Sequence, residues 1–198
     1  MSSPARPAPP EQPQSISGED WEKLSPEAKV QWLREGKWGW VIYRCSYAKE
    51  LNGAWDDLKR RIQQGTREAI AKSDTPGIAE TMDFVFVEDP ALEGASVEEL
   101  RRRFQVWARD DNAVSLDMDD NTPGSRGSRR EFFLKVDGEG LWNGYVGLVR
   151  AWPDSPGSED WMKVRAGAVT PALYVQLDDP EVWYAYYTPP ETGVCNAW

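Results

Sequence analysis

Four side chains combine a reactive type with a telling position: Arg44, Glu88, Tyr43 and Tyr47. Arg44 lies inside the apolar stretch WGWVIYRCSY, residues 38–47, and a guanidinium there has to be satisfied. It can pair with Glu88 or Asp89 at the end of an adjoining strand, or present its fork to an anionic ligand. The architectural pair is the favoured reading, because most well-paired buried charges are structural. If Glu88 instead opened into an enclosed apolar cavity, burial would raise its pKa. It would then act as general acid or base, with Arg44 as electrostatic partner and Tyr43 or Tyr47 as proton donor. Glu88 and Asp89 do not make a catalytic pair by themselves, since neighbours in a strand point oppositely; Asp89-Pro90 also has the plain role of turning the chain.

The chain contains no histidine, which removes the common catalytic triads, imidazole acid–base chemistry and most zinc sites. Asp117, Asp119 and Asp120 offer carboxylates to a hard cation, but lack the glycine and terminal glutamate of an EF-hand loop and read as a solvated acidic loop. Gly138, Gly140 and Gly144 fit neither a dinucleotide fingerprint nor a P-loop. Neither a metal nor any other cofactor is expected. Aromatic side chains are the stronger signal. Trp183, Tyr184, Tyr186 and Tyr187 crowd one segment, with Trp198 at the end of the sequence. Tyr184 and Tyr186, with Trp107 from an upstream helix, are the candidate ligand-binding residues, since their polar handles suit an interface or a flat organic ligand. Trp183 and Tyr187 are expected to be buried.

The net charge of -10 over 198 residues opposes a nucleic-acid backbone. The dense basic runs, Arg101 to Arg103 and Arg126, Arg129 and Arg130, lie beside acidic residues and read as solvated charge. No stretch has the length of a membrane span or the apolar core of a signal peptide. Two cysteines make no disulfide framework: Cys45 reads as a small buried hydrophobe and Cys195 as exposed. These features predict a cytoplasmic protein that binds neither nucleic acid nor membrane.

The elements that position these residues follow from pattern. Residues 1–18 are Pro- and Ser-rich and predict a disordered tail, with a single domain over 19–198. Ser25-Pro26 is a cap followed by proline at the first helical position, opening a helix to about Glu35. Residues 38–47 form a strand with Trp38, Trp40 and Ile42 on one face and Val41, Tyr43 and Cys45 on the other. Leu51 to Lys72 is an amphipathic helix whose stripe is Leu51, Trp55, Leu58, Ile62, Ala69 and Ile70, with Gly65 a possible break. Thr81 to Glu88 is a second strand, and strand–helix–strand order predicts a parallel pair. Ser96 and Glu99 form a capping box for a helix to about Asp110.

Residues 111–127 read as a mobile loop and 130–137 as a third strand. Gly138 to Gly144 is either one helical turn or an irregular connection. Residues 145–152 and 161–169 are further strands. Thr170-Pro171 repeats the cap-plus-proline signal, so 171–177 is read as a helix in preference to one arm of a hairpin. Val182 to Thr188 is read as a last strand. Together these predict an α+β fold: a mixed sheet covered by amphipathic helices, related to the ferredoxin-like split βαβ plan, with a C-terminal extension.

The segments WGWVIYRCSY (38–47), FVFVEDPALEGASVEELRRRFQVW (84–107), YVGLVRAW (145–152), WMKV (161–164) and WYAYYTPPE (183–191) resemble a group of small uncharacterised proteins from filamentous fungi. The resemblance runs over most of the chain from Trp38 onward. It implies an intracellular fungal protein, and it supplies no activity and no site residues. The functional expectation therefore rests on the residues: a binding or structural protein that uses an aromatic cleft or a subunit interface, through self-association or a small organic ligand. The alternative is a small-molecule enzyme of isomerase or cyclase type in fungal metabolism, working by histidine-free acid–base chemistry.

Overall fold

A computed structural model of the protein describes residues 16–33, 35–110, 127–155 and 158–196. Most of the expected tail, most of the expected 111–127 loop, the three aspartates 117, 119 and 120, Arg126 and Trp198 lie outside these residues. At the end of that expected tail Ser17 caps a first helix, α1 (Gly18–Lys23), by accepting from the Asp20 amide at 3.1 Å. Ser25 caps α2 (Pro26–Leu33) through the Ala28 amide at 3.1 Å.

The sheet has six strands in the order β2-β1-β3-β4-β5-β6. They are β1 (Val41–Arg44), β2 (Val85–Val87), β3 (Phe132–Val136), β4 (Tyr145–Arg150), β5 (Trp161–Arg165) and β6 (Val194–Cys195). β1 runs parallel to both β2 and β3, the β3–β4–β5 meander is antiparallel, and β6 is parallel to β5. The first crossover, from β1 to β2, is made through α3 (Asn52–Ala71). The second returns from β2 over β1 to β3 and contains α4 (Val97–Asp110) and a short α5 (Ser128–Glu131). The two crossovers travel in opposite directions along the sheet, so a common hand places α3 and α4 on opposite faces. Both faces are therefore covered by helices.

Strand alternation sorts the core as the sequence predicts. Trp40, Ile42, Leu134, Leu148 and Val164 pack with α3 on the first face, whereas Val41, Tyr43, Phe133 and Val149 pack with α4 on the second. Thr66, not Ala69, completes the buried stripe of α3, because Leu58, Ile62, Thr66 and Ile70 stay on the i, i+4 row. Gly65 does not break that helix. Ser96 accepts from the Glu99 amide at 3.2 Å, but Glu99 turns its carboxylate to Arg102 and Arg103, so only half of the capping box forms. Gly138 to Gly144 resolves into a helix, α6 (Gly138–Asn143), capped by Asp137 and stopped by Gly144 in the left-handed conformation. The 171–177 segment is helical, as α7 (Pro171–Gln176).

Three expectations fail for identifiable reasons. The strand predicted over 182–188 is a helix, α8 (Pro180–Tyr186), because Asp179 caps the Glu181 amide at 2.9 Å and Pro180 sits at its start. This cap outweighs the β-propensity of the aromatics. The strand beginning at Trp161 stops at Arg165, where Ala166–Ala168 winds into a 3-10 turn. Cys195 is buried rather than exposed, since β6, too short to show a period, adds to the edge of β5.

Gly39 is the backbone position the parallel pair depends on. Its φ is +125°, and a Cβ there would lie 2.6 Å from the Asp83 carbonyl oxygen. The Trp38 carbonyl accepts from the Asp83 amide at 2.8 Å across the same contact. Gly39→Ala is expected to lower stability by about 2 kcal/mol through strain and collision with backbone. The measurement is the urea midpoint, and an unmoved midpoint would show that the approach of the two chains relaxes freely.

Candidate functional site

Arg44 ends β1 with its side chain among the carboxyl ends of the parallel strands. In open α/β sheets ligands collect at this edge. Its Nε donates to the Ser46 carbonyl at 2.8 Å and its Nη2 to Asn52 Oδ1 at 2.6 Å. Glu88 stands 3.8 Å from Nη1, and the guanidinium lies over the rings of Tyr47 and Trp55. The expected Arg44–Glu88 pair exists, but it is the loosest of these contacts. Backbone, amide and rings do most of the satisfying.

Glu88 does not have the environment of a buried acid. Its side chain is 40% exposed and bonds Lys59 Nζ at 2.7 Å. The Lys59 ammonium holds its carboxyl below the ordinary glutamate range, with the Trp55 indole and the Arg44 charge adding to the effect. This corrects the expectation of a pKa raised by burial: the second cation is Lys59, brought from α3. Tyr47 joins Arg44, its hydroxyl donating to the Arg44 carbonyl at 3.2 Å. Tyr43 does not. It points to the second face, packs edge-on against Phe133 at 5.5 Å, and burial pushes its hydroxyl pKa up to about 12. The structure thus brings Arg44, Glu88 and Tyr47 together and places Tyr43 on the other side of the sheet. A groove of about 310 Å³ runs along the polar side of α3, lined by Asp57, Arg60, Arg61, Gln64, Gly65 and Glu68. None of the four candidates borders it.

The candidate aromatic residues divide similarly. Trp107 is half-buried on the second face, between Phe104 and the Arg129 guanidinium, which lies 5.2 Å from its ring centre. Helical spacing in α8 turns Trp183 inward and stacks Tyr187 on it at 5.4 Å, while Tyr184 and Tyr186 remain 57% and 44% exposed. Tyr184 is held rigidly for a surface residue. Its hydroxyl donates to Asp154 Oδ2 at 2.6 Å and accepts from Arg150 Nη1 at 3.0 Å, and Arg150 also grips Asp154 with both terminal nitrogens.

Two arginines of the supposedly solvated runs are buried. Arg101 is 7% exposed and donates to the carbonyls of Arg150, Ser158 and Glu159 at 3.0, 2.6 and 2.6 Å, with Asp160 at 3.3 Å. Arg129 is 4% exposed and bonds both the carbonyl and the carboxylate of Asp83 at 2.8 Å. A run of three arginines on one helix points three ways, so one of them faces inward; that geometry was the available signal for Arg101.

A residue passed over in the sequence has the most perturbed carboxyl. Glu35, between α2 and β1, accepts a hydrogen bond from the Tyr174 hydroxyl. Tyr174 is fully buried, its ring edge-on to Trp38 and Trp40 at 5.6 and 5.2 Å. Burial pushes the Glu35 pKa up to about 7; the Tyr174 bond opposes this and Asp178 reinforces it. Sequence carried no sign of this site, because Glu35 looks like an exposed glutamate at a helix end.

Among the described residues no three carboxylates or thiols gather as a metal site, and no helix is long and apolar enough to cross a membrane. No protein-family model matches the chain, and no curated protein matches it.

Proposed function

We propose that the protein is a binding or structural protein whose recognition surface is the aromatic face of α8. The carrying observation is Tyr184, 57% exposed yet fixed through its hydroxyl to Arg150 and Asp154. An aromatic ring immobilised before binding loses little entropy on contact, which is the property of an anchor residue. Arg44, by contrast, is occupied by structural bonds and Glu88 by Lys59. The occupant is a second copy of the chain or a small organic ligand. A cytoplasmic setting agrees with two free, buried cysteines, and the net charge of -10 argues against nucleic acid. The return of β2 over β1 to β3 supports relating the sheet to the ferredoxin-like split βαβ plan, while the parallel direction of β1 against both neighbours sets it apart.

Light scattering after size-exclusion chromatography tests self-association, and native mass spectrometry of freshly purified protein tests a carried ligand. Tyr186→Ala should weaken either interaction by about tenfold, the loss of one peripheral aromatic contact. A protein that is strictly monomeric and carries no organic ligand would sink the proposal.

A small-molecule enzyme is the second reading, favoured by Glu35 alone. A half-buried carboxyl with a pKa of about 7 exchanges protons at neutral pH without histidine. Turnover by the native protein and its loss in Glu35→Gln would establish it.

A further inference from the structure

Glu35, Gly127 and the Tyr174–Asp178 pair come from three separate places in the chain and meet at one point. Glu35 is joined to Tyr174 on α7 by the hydroxyl bond. A Cβ at Gly127 would lie 2.5 Å from Glu35 Oε1 and 3.9 Å from Asp178 Oδ1, so both carboxyls border the small space above that glycine. Gly127 has a φ of +69°, which a side chain would strain in any case. The neighbouring Ser128 ties the same turn to α7, its hydroxyl donating to the Tyr174 carbonyl at 2.7 Å and its amide to the Asp178 carboxylate. Through α5 the turn reaches further, because the Arg130 carbonyl accepts from the Trp152 indole at 2.9 Å and the Glu131 carbonyl from the Ala151 amide at 2.8 Å.

We propose that this cluster is a pH-operated latch, which holds the Gly127 turn and α5 against α7 while Glu35 is protonated and loosens them when Glu35 ionises. The groups facing Glu35 are Tyr174 and Asp178 from α7 and the turn behind it, and Arg129 and Arg130 from α5. An ionised Glu35 sets a second negative charge beside Asp178 in a desolvated space, and the two carboxylates repel across the glycine. Arg130 and Arg129 offset this only in part, since the carboxyl stays raised despite both and the Arg129 guanidinium already bonds Asp83. Protonation removes the repulsion and leaves a neutral carboxyl that still accepts from Tyr174. Burial and Asp178 together move this transition toward neutral pH, within the range a cell spans.

Amide hydrogen exchange between pH 5.5 and 8.5, corrected for the intrinsic rate, tests the latch. Protection at residues 128–131 should fall as pH rises toward about 7, and by about tenfold more than in α3 and α4, which report the global change in stability. In Glu35→Gln the fall should vanish. In Asp178→Asn, which removes the opposing charge but keeps the shape, the midpoint should move to lower pH. Protection at 128–131 that does not change with pH in the native protein overturns the proposal, as does an equal fall in Glu35→Gln. If Glu35→Gln does not fold, an unmoved midpoint in Asp178→Asn overturns it instead.

Discussion

Arg101→Met should destabilise the protein by about 3–5 kcal/mol, while Arg102→Met beside it should change stability by less than about 0.5 kcal/mol. The two arginines are adjacent on α4, yet the Arg102 side chain is 74% exposed and bonds Glu99 one turn back. Arg101 is one cation serving carbonyls at Arg150, Ser158, Glu159 and Asp160. It therefore staples α4 to the end of β4 and to the approach of β5. Methionine fills the volume of the stem but takes this donor from the Arg150, Ser158 and Glu159 oxygens, while Asp160 keeps the Arg150 amide, and each unsatisfied buried acceptor costs about 1–3 kcal/mol. Asp160, in that same approach, has a φ of 29°, a strained value that the staple helps to hold. Arg101→Lys should recover little, because one ammonium cannot reach the spread of acceptors that a planar fork reaches. Thermal unfolding of the three variants decides this. Equal melting temperatures for Arg101→Met and Arg102→Met would show that water replaces the guanidinium without penalty.

The second large effect is a loss of stability as pH rises from the ordinary carboxylate range toward neutrality. The Glu35 carboxyl has a pKa of about 7 in the fold against 4.5 ordinarily. A raised acid pKa means that the folded state binds the proton more tightly, so between those two values the folded protein carries more protons than the unfolded chain. Stability then falls by at most about 1.4 kcal/mol per pH unit, about 3 kcal/mol in total, and levels off above the folded pKa. Carboxyls held low, such as Glu88 by Lys59 and Asp154 by Arg150, act in the other direction. Their contribution is lost only as the solution is acidified below the ordinary carboxylate range, so the two windows do not overlap. Urea midpoints at pH 5, 6, 7 and 8 should decline for the native protein and decline less for Glu35→Gln, in which Asp178, also raised by burial, still contributes; Glu35→Gln should be the more stable of the two at pH 8. Parallel declines in both proteins would assign the effect to another group.

How much of this was legible follows from the range over which each cause acts. The two faces of β1, β2 and β3, the stripe of α3 and the caps at Ser25 and Ser96 are local: a strand alternates and a helix repeats whatever surrounds it. So Trp40 and Ile42 part from Val41 and Tyr43 in the sequence as they do in the fold. The mixed α+β layout was readable for the same reason. The segment 182–188 marks the limit of local reading, since two local signals conflict there. Aromatic propensity suggested a strand, and Asp179-Pro180 decided for a helix.

Along the chain itself are written most of the alternation of elements, the inward faces of β1 and most of α3, and the exclusion of imidazole chemistry. Strand order, the enclosure of Arg101 and Arg129, the burial of Cys195 and the meeting of Glu35 with Tyr174 and Asp178 were decided by tertiary structure alone. Each depends on segments far apart in the chain arriving at one place. Residue 35 is separated from its tyrosine by 139 positions. A side chain's solvation and pKa are properties of such neighbours, and no period or spacing along the chain records them.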